Sequence, residues 1–352
     1  MDSCPFLAAC GGSLPDATPI WLMRQAGRIL KPYRDIRSRT RSLEVMFKSP
    51  DLATEITLMP VEQLNVDAAI LFADLVTPLE PLGFDFRYDP GPIFSNPVRC
   101  AEDVARLKPL DVESDIPFVP QTVRQVCAAL DPAVPLIGYG GGPFTLASWA
   151  VEGTGAKDFP IFRSLLHAEP VLAEELMQKL TTALVAYLRS QAEAGVRALQ
   201  IFDTSIGLLS TLDFERLALP HLQRVFAELE SCRVPRIYFG LGASHLLPLI
   251  KQVGADVVSI DWRISPGQAY DILGDTTPLQ GNLDPCTLLG KEENIMREAR
   301  RIVDDVGDRP HIFNLGHGLL PDTPVEMVRR LVEVVHEYSA ARKQGENTNG
   351  NG

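Results

Sequence analysis

Short apolar runs without alternation recur along the chain, and segments of helical pattern separate them. A strand buried on both faces needs such an uninterrupted run, whereas a half-exposed strand alternates apolar and polar residues. Eight runs alternating with helices predict an α/β fold, a single-domain (β/α)8 TIM barrel. The runs are Pro19–Leu22, Ala68–Phe72, Pro135–Tyr139, Ala198–Phe202, Arg236–Phe239, Val257–Ile260, Thr277–Leu279 and His311–Leu315.

The rest of the chain is organised around this repeat. Residues 84–96 alternate and contain Asp89-Pro90-Gly91, which predicts a small β-hairpin inserted after the second strand. We expect an N-terminal extension over 1–18, one barrel domain over 19–340 and a disordered tail over 341–352, where polar residues and glycine dominate. A hydrophobic content of 45% is enough for the large core that this division requires.

Two helix starts carry local signals. Thr323 is expected to cap the last helix, with Pro324 as its first residue and Glu326 completing a capping box. Asp213 is expected to cap the helix that runs to residue 230, and Pro220 should kink or break that helix.

Composition excludes several classes of protein. No run approaches the roughly 18 apolar residues of a membrane span, and the N-terminus lacks the pattern of a signal peptide. The six cysteines are scattered without zinc-ligand spacing, which favours reduced thiols and no metal site. A net charge of −12 disfavours nucleic acid as a partner. We expect a cytoplasmic protein without membrane partners.

Residues 21–41 concentrate positive charge within this acidic chain. Six Arg and one Lys accompany a single acid, Asp35, so the segment has a local net charge of +6. Arg24 and Arg28 stand four apart, and a helical turn would direct both guanidinium groups at one carboxylate ligand. Gly27 permits close backbone approach or a positive φ. A solvent-exposed basic helix start is the alternative interpretation.

Polar residues follow the apolar runs at the edge where barrel enzymes collect their catalytic groups. Asp74 would emerge from apolar surroundings near the arginines and could stabilise a cation formed during a reaction, although a structural Arg–Asp pair is the alternative. His317 lies between glycines that leave its ring accessible, and His245 is more plausibly structural. Asp203 and Asp261 also end strands, but capping or loop hydrogen bonds are their expected use.

The glycines of Gly138-Tyr139-Gly140-Gly141-Gly142 form a second feature of this edge. They could surround a phosphate, but the segment lacks the Lys-Ser/Thr of a P-loop and the spacing of a dinucleotide site. Close approach of the backbone to a bulky ligand explains them equally well.

Met23-Arg24-Gln25-Ala26-Gly27-Arg28, after Pro19-x-Trp21, resembles the N-terminal signature of the uroporphyrinogen decarboxylase family of the haem pathway. The likeness extends to about Tyr338. Four further blocks resemble those of the family in the same order: residues 67–74, 135–153, 279–285 and 314–318.

The resemblance implies decarboxylation of the four acetate arms of uroporphyrinogen III to give coproporphyrinogen III, without metal or organic cofactor, in a homodimer. Asp74 would hold the pyrrole N–H groups and stabilise the cationic intermediate. Arg24 would assist protonation, Arg24 and Arg28 would bind carboxylates, and His317 would bind a propionate. The implied substrate-binding set is Arg24, Gln25, Ala26, Gly27, Arg28, Asp74, Trp149, Thr204 and His317.

The sequence departs from the family pattern at Lys31, where the family has an acid, and at two further residues that leave alternatives open. Trp149 stands where the family usually has Tyr, and an indole can only donate a hydrogen bond. Thr204 replaces the common Ser. One alternative is therefore a tetrapyrrole- or polycarboxylate-binding protein with altered or lost activity. The other is a zinc-dependent methyltransferase of the same superfamily, although residues 239–243 lack the His-x-Cys that it would need.

Overall fold

A computed structural model describes residues 4–40, 42–89 and 91–349, and for 345–349 the backbone only. Seven parallel strands form one sheet in the order of the chain, and two short strands form a separate antiparallel pair. The parallel strands are β1 (Ala69–Ile70), β4 (Leu136–Gly141), β5 (Ala198–Asp203), β6 (Arg236–Gly240), β7 (Val257–Ser259), β8 (Leu279–Leu283) and β9 (His311–Leu315), and the pair is β2 (Phe86–Tyr88) with β3 (Pro92–Phe94).

Residues 19–21 close the sheet into a barrel. Ile20 forms a parallel bridge with Phe313 of β9. The Phe313 N–H donates to the Pro19 carbonyl at 2.8 Å, and the Trp21 N–H donates to the Phe313 carbonyl at 3.3 Å. On the other side, the Asp67 N–H donates to the Ile20 carbonyl at 2.8 Å, just before β1. The first predicted strand is thus an extended segment bonded to both neighbours, and the TIM-barrel-like fold is confirmed.

The other predicted strands agree with the structure within a few residues, with one shift. The seventh run was placed too early, because β8 begins at Leu279 where the predicted run ends. Asn282, predicted to follow that strand, therefore lies within it. The hairpin of β2 and β3 is confirmed as an insertion after β1, and Pro90 of its expected turn lies outside the described residues.

Helices alternate with the strands along the chain and cover the outside of the barrel. Their bounds are α1 (Pro5–Cys10), α2 (Lys31–Arg39), α3 (Leu43–Lys48), α4 (Pro50–Leu64), α5 (Ala101–Ala105), α6 (Val112–Asp115), α7 (Phe118–Ala129), α8 (Pro143–Glu152), α9 (Pro160–Ala168), α10 (Pro170–Ala194), α11 (Thr211–Asp213), α12 (Leu219–Glu228), α13 (Leu247–Ile250), α14 (Pro266–Leu273), α15 (Glu292–Val306) and α16 (Val325–Asn349).

Both predicted helix caps are wrong. The cap before α11 is Ser210, whose side chain accepts the Asp213 N–H, so Asp213 lies inside the first turn. A π-helical stretch, Phe214–Ala218, separates α11 from α12, and Pro220 stands at the start of α12, where a missing N–H costs little. The Thr323 hydroxyl is buried without a hydrogen-bond partner among the described residues, so it does not cap α16.

The two chain ends extend the barrel domain. Phe6, Ala9 and Cys10 of α1 are buried in the same core as Ile312 of β9. Helix α16 continues to Asn349 and so includes most of the stretch from 341 for which disorder is predicted. The division of the chain at residues 18 and 340 stays a prediction. No helix in the described part of the chain combines the length and hydropathy needed to cross a membrane.

A hydrogen-bonded polar layer lies inside the barrel. The Trp21 indole N–H donates to the Gln280 side chain at 2.9 Å, and the Gln280 amide donates to Gln200 at 3.1 Å and to Ser259 at 3.0 Å. All four residues are buried. Because buried polar groups need their partners, this layer fixes Trp21 and with it the start of the basic stretch 21–41, which we call the arginine segment.

We expect Asp67→Ala to weaken the closure of the barrel. The Asp67 carboxylate accepts the Ile20 N–H and a His336 ring nitrogen, both at 2.7 Å. Its loss leaves the N–H of fully buried Ile20 without a partner, which costs about 3 kcal/mol of unfolding free energy. Denaturant unfolding measures this loss. Asp275→Ala, which removes an exposed carboxylate paired at 3.4 Å with Arg309, should change stability by less than about 0.5 kcal/mol; equal effects would contradict the prediction.

Candidate active site

A cavity of about 460 Å³ opens at the carboxyl ends of the strands. Eight of the nine predicted site residues line it: Arg24, Ala26, Gly27, Arg28, Asp74, Trp149, Thr204 and His317. Apolar and aromatic side chains provide most of the remaining surface, including Ile70, Phe72, Phe202 and Tyr139. The cavity therefore combines an apolar interior with two guanidinium groups and one carboxylate.

Gln25 is the predicted site residue that does not line the cavity. It is fully buried, and its carboxamide accepts the Leu22 N–H and donates to the Ala68 carbonyl, both at 2.9 Å. These bonds tie the arginine segment to the chain leading into β1. Gln25 thus holds the segment in place from behind rather than contacting a ligand.

Residues 23–30, the part of the arginine segment that carries Arg24 and Arg28, form turns and bends before α2, so the predicted helical turn is wrong. Arg24 has φ +61°, the left-handed region that non-glycine residues rarely adopt. Gly27 does not have a positive φ, and a β-carbon there would stand 3.2 Å from the Arg24 carbonyl. Gly27 therefore provides close approach within the segment. Arg24 and Arg28 both reach the cavity, but through this turn and not through one helix face.

Gly318 is in direct contact with the Arg24 side chain. A β-carbon added to Gly318 would stand 2.6 Å from Arg24 Cγ and 2.8 Å from Nε, closer than such atoms can approach. Two hydrogen bonds join the same segments, because the Met23 N–H donates to the Asn314 side chain at 3.0 Å and the Leu319 N–H donates to the Met23 carbonyl at 2.9 Å. The segment after β9 thereby positions Arg24.

Asp74 supplies the carboxylate of the cavity. Its Oδ1 accepts the Val76 N–H at 3.0 Å, and its own N–H donates to the Thr77 hydroxyl at 3.3 Å. Burial raises the pKa of Asp74, while the Val76 N–H and the Arg24 guanidinium act to lower it. Asp74 forms no ion pair within 4 Å with any described cation, so its charge remains available to a ligand.

Tyr139 also lines the cavity, although no sequence motif singles it out as a site residue. Its hydroxyl donates to the Ala73 carbonyl next to Asp74, and its ring packs edge-on against Phe202 with centroids 5.5 Å apart. Burial raises the pKa of Tyr139 well above its ordinary value, with the Asp74 charge adding to the effect. Tyr139 lies within the glycine-rich stretch, and no neighbouring polar residue marks it as part of a site.

The glycines of that stretch approach protein groups and not a ligand. A β-carbon at Gly138 would stand 2.5 Å from the Gln191 side chain, and one at Gly140 would stand 2.6 Å from Leu184, both on α10. At Gly142 it would stand 2.5 Å from the Asp203 carboxyl carbon. Close packing against α10 and Asp203 accounts for these glycines, so neither a phosphate nor a bulky ligand is needed to explain them.

Trp149 joins the hairpin to the cavity. Trp149 lies on α8, and its ring packs against Phe159. The outer edge of the indole would be 3.9 Å from a β-carbon added to Gly91 and 3.0 Å from one added to Gly155. No described residue hydrogen-bonds its indole N–H, so that donor is available to a ligand. Thr204 follows β5 and also lines the cavity.

His317 completes the set of polar groups. Its half-buried ring stacks on Phe239 with centroids 6.3 Å apart and planes 19° apart. Burial and the neighbouring Arg24 charge lower the pKa of His317 to about 4, with Asp261 opposing the shift. The ring is therefore neutral at pH 7 and can donate one hydrogen bond to a carboxylate.

The remaining strand-end groups have the structural uses that their sequence context predicted. Asp203 accepts the Thr145 N–H at the start of α8, and Asp261 accepts the Gly242 N–H at 2.6 Å. His245 hydrogen-bonds the Leu209 carbonyl at 2.9 Å. Within residues 4–40, 42–89 and 91–349, no three His, Cys, Asp or Glu side chains cluster closely enough to hold a metal ion.

We expect NMR titration to give His317 a pKa of about 4 in the free protein and a higher value in Arg24→Gln, because that variant removes a neighbouring positive charge. A folded pKa below the unfolded value of about 6.5 means that this group contributes stability above pH 6.5 and that the contribution is lost as pH falls towards 4. Arg197 lies just before β5, at the end of the barrel opposite the cavity. Arg197→Gln should therefore leave the pKa of His317 unchanged. If the pKa of His317 were unchanged in Arg24→Gln, the charge of Arg24 would not act on the His317 ring.

A known protein family and several known proteins match this chain over nearly its whole length. A family model described as "Uroporphyrinogen decarboxylase (URO-D)" matches residues 2–338. Relatives called uroporphyrinogen decarboxylase are 47% identical in Geobacter sp. strain M21 and 48% identical in Syntrophotalea carbinolica, over 95% of this chain and 98% and 97% of theirs.

Solved structures show the same fold at low identity. A methyltransferase from Methanosarcina mazei superimposes with a TM-score of 0.77 at 22% identity, over 95% of this chain and 98% of that one. A B12-independent methionine synthase from Shewanella sp. W3-18-1 superimposes with a TM-score of 0.59 at 13% identity, over 88% and 92%. At such identities the likeness concerns the barrel alone.

Proposed function

Because the chain belongs to the uroporphyrinogen decarboxylase family, we propose that it decarboxylates the four acetate arms of uroporphyrinogen III to give coproporphyrinogen III. The observation that carries the proposal is one cavity that brings Arg24, Arg28, Asp74 and His317 around an apolar interior. This combination suits a wide apolar macrocycle with carboxylates on its rim. The apolar surface takes the ring, and the cationic and hydrogen-bonding groups take its arms.

Asp74 has the central role in the proposed chemistry. Its carboxylate accepts hydrogen bonds from the pyrrole N–H groups and holds the ring above the apolar bottom of the cavity. When a pyrrole carbon beside an acetate arm takes a proton, the ring becomes cationic. A fixed negative charge in surroundings that exclude water stabilises that cation more than it stabilises the neutral ring.

The reaction balances within the substrate. The bond between the acetate CH2 and its carboxylate breaks, the electron pair enters the cationic ring, and CO2 leaves. The exocyclic carbon then takes a proton to become a methyl group, and the ring gives up the first proton. Each turn consumes one proton, and we assign assistance with ring protonation to Arg24. The guanidinium of Arg24 also brings the reacting carboxylate into position with Arg28.

The other site residues bind and orient. We assign a propionate to His317, whose neutral ring donates a hydrogen bond. We assign the edge of the macrocycle to Trp149 and Thr204, and close backbone approach to Ala26 and Gly27, which line the cavity next to the arginines. Gln25 contributes indirectly, through its bonds to Leu22 and Ala68.

Anaerobic incubation with uroporphyrinogen, followed by separation of products by carboxylate count, tests the proposal. We expect products with seven, six, five and four carboxylates in succession. Binding without release of CO2 would favour the tetrapyrrole- or polycarboxylate-binding alternative that Trp149 motivates. Stoichiometric zinc in the purified protein, together with no CO2 release, would favour the methyltransferase alternative.

A homodimer and a cytoplasmic location remain part of the proposal, and both derive from the family resemblance and the composition. A molar mass in solution of one 38.7 kDa chain would contradict the dimer.

A further inference from the structure

Asp203 is a buried carboxylate that the proposed reaction does not use. It ends β5, is fully buried, and has no ion-pair partner among the described residues. A buried charge without a cation costs stability, so its presence calls for an explanation in function. It does not line the cavity, whereas its neighbour Thr204 does.

Three neutral donors surround the Asp203 carboxylate. Oδ1 accepts the Thr145 N–H at 3.1 Å and the Thr145 hydroxyl at 2.5 Å, and Oδ2 accepts the Tyr238 hydroxyl at 3.3 Å. Thr145 lies in the first turn of α8, where the helix dipole favours an anion. Gly142 leaves room for the carboxylate, since a β-carbon there would overlap it. Among the residues that the structure describes, Tyr238 is the only ionisable side chain that hydrogen-bonds the carboxylate.

This network connects two residues of the cavity. The Thr145 hydroxyl donates to Asp203 and accepts the Ser205 N–H at 3.1 Å, so the backbone on both sides of Thr204 is tied to α8. Trp149 stands one turn further along α8, on the same helix face as Thr145. The mutual position of Thr204 and Trp149 therefore depends on the bonds that Asp203 accepts.

We propose that Asp203 is a positioning residue whose ionised carboxylate holds Thr204 and Trp149 at the distance that the substrate ring requires. The inference rests on the proposed function of the cavity. An ionised carboxylate accepts from all three donors without a proton of its own, and charge-assisted hydrogen bonds are shorter and stronger than neutral ones. A protonated or amide side chain brings a donor of its own and loosens the link.

Because the Asp203 carboxyl group can take up a proton, stability and substrate binding should both depend on pH. Burial raises its pKa to about 6, although the Thr145 and Tyr238 hydroxyls act to lower it. Its folded pKa thus exceeds the unfolded value of about 3.9, so the folded state gains protons between these values and this group makes the protein more stable as pH falls. Positioning is lost over the same range, so stability and substrate binding change in opposite directions.

Asp203→Asn tests the proposal, because it mimics the protonated acid. We expect KM for uroporphyrinogen to rise about tenfold and kcat to change by less than about threefold. The melting temperature should not fall, since a buried unpaired charge is removed. The acid limb of kcat/KM near pH 6 should disappear. Asp256→Asn is the matched control: its carboxylate pairs with Arg236 at 2.9 Å at the other end of the barrel, so the variant should lose stability and keep KM.

A second readout does not depend on turnover. The fluorescence difference between the protein and its Trp149→Phe variant should change near pH 6, and Asp203→Asn should abolish that change. If wild type releases no CO2, the proposed function fails while this test still decides the role of Asp203. Tyr238→Phe removes a donor that lowers the pKa of Asp203, so it should move the transition to higher pH. An unmoved transition, or Asp203→Asn with KM within twofold of wild type, would overturn the proposal.

Discussion

Replacing Asp74 with Asn is expected to abolish CO2 release while uroporphyrinogen still binds. The amide keeps the size of the side chain and can still accept the Val76 N–H, but it carries no charge to stabilise a cationic ring. Loss of electrostatic stabilisation of this kind lowers kcat about 1000-fold. The dissociation constant should change by less than about tenfold. Single-turnover assays under anaerobic conditions and ligand quenching of tryptophan fluorescence measure the two quantities.

Asp284→Asn is the matched control. Asp284 follows β8, and its Oδ1 accepts the Cys286 N–H two residues on, as Asp74 does with Val76, but it does not line the cavity. Its variant should retain kcat. Because burial raises the folded pKa of Asp74, its ionised form costs stability above the unfolded pKa of about 3.9, and Asp74→Asn should be at least as stable as wild type. More than a tenth of wild-type kcat in Asp74→Asn would contradict its assigned role.

Gly318→Ala is expected to lower kcat/KM about 100-fold through displacement of Arg24. The added methyl group would occupy the space of Arg24 Cγ and Nε, so the guanidinium must leave its position, and a shift of about 1 Å suffices for a loss of this size. Gly318 does not have a positive φ, and the backbone accepts alanine without strain. Steady-state kinetics and thermal unfolding of the same variant separate displacement from unfolding.

A double-mutant cycle identifies the route of this effect. In an Arg24→Gln background, Gly318→Ala should cost little more, because the displaced group is already absent. Gly11→Ala is the control for the substitution itself, since a β-carbon there meets its neighbours at an ordinary 3.5 Å. An equal loss from Gly318→Ala in both backgrounds would show that it does not act through Arg24.

The order of apolar runs was sufficient to predict the barrel and the edge at which polar residues meet. A strand buried on both faces requires a continuous apolar run, which can be recognised locally in the sequence. The residue that follows such a strand lies at the carboxyl-end edge of the barrel. For that reason Asp74, Thr204 and His317 could be placed at one edge from sequence. The first strand was also predicted, although in the structure its ladder is a single bridge at Ile20.

Features that depend on distant contacts could not be predicted. Arg24 has a left-handed conformation, and its segment contacts Asn314 and Gly318, which lie nearly 300 residues away, so local spacing misleadingly favoured a helical turn. Gly138 and Gly140 pack closely against α10, and Gly142 packs against Asp203. Nothing in the sequence of this stretch indicates either contact. Gln25 matched the family pattern but hydrogen-bonds the backbone, because a motif does not distinguish residues that contact a ligand from residues that hold the motif in place.

The closure at Ile20 bears on how the protein acquires its activity during synthesis. Arg24 is synthesised long before Phe313, Asn314 and Gly318, which hold its segment in place in the folded protein. A nascent chain therefore lacks these contacts to its most basic segment until residues 313–319 have been made. Truncation before residue 319 should leave a protein that has most of its strands but no assembled arginine site.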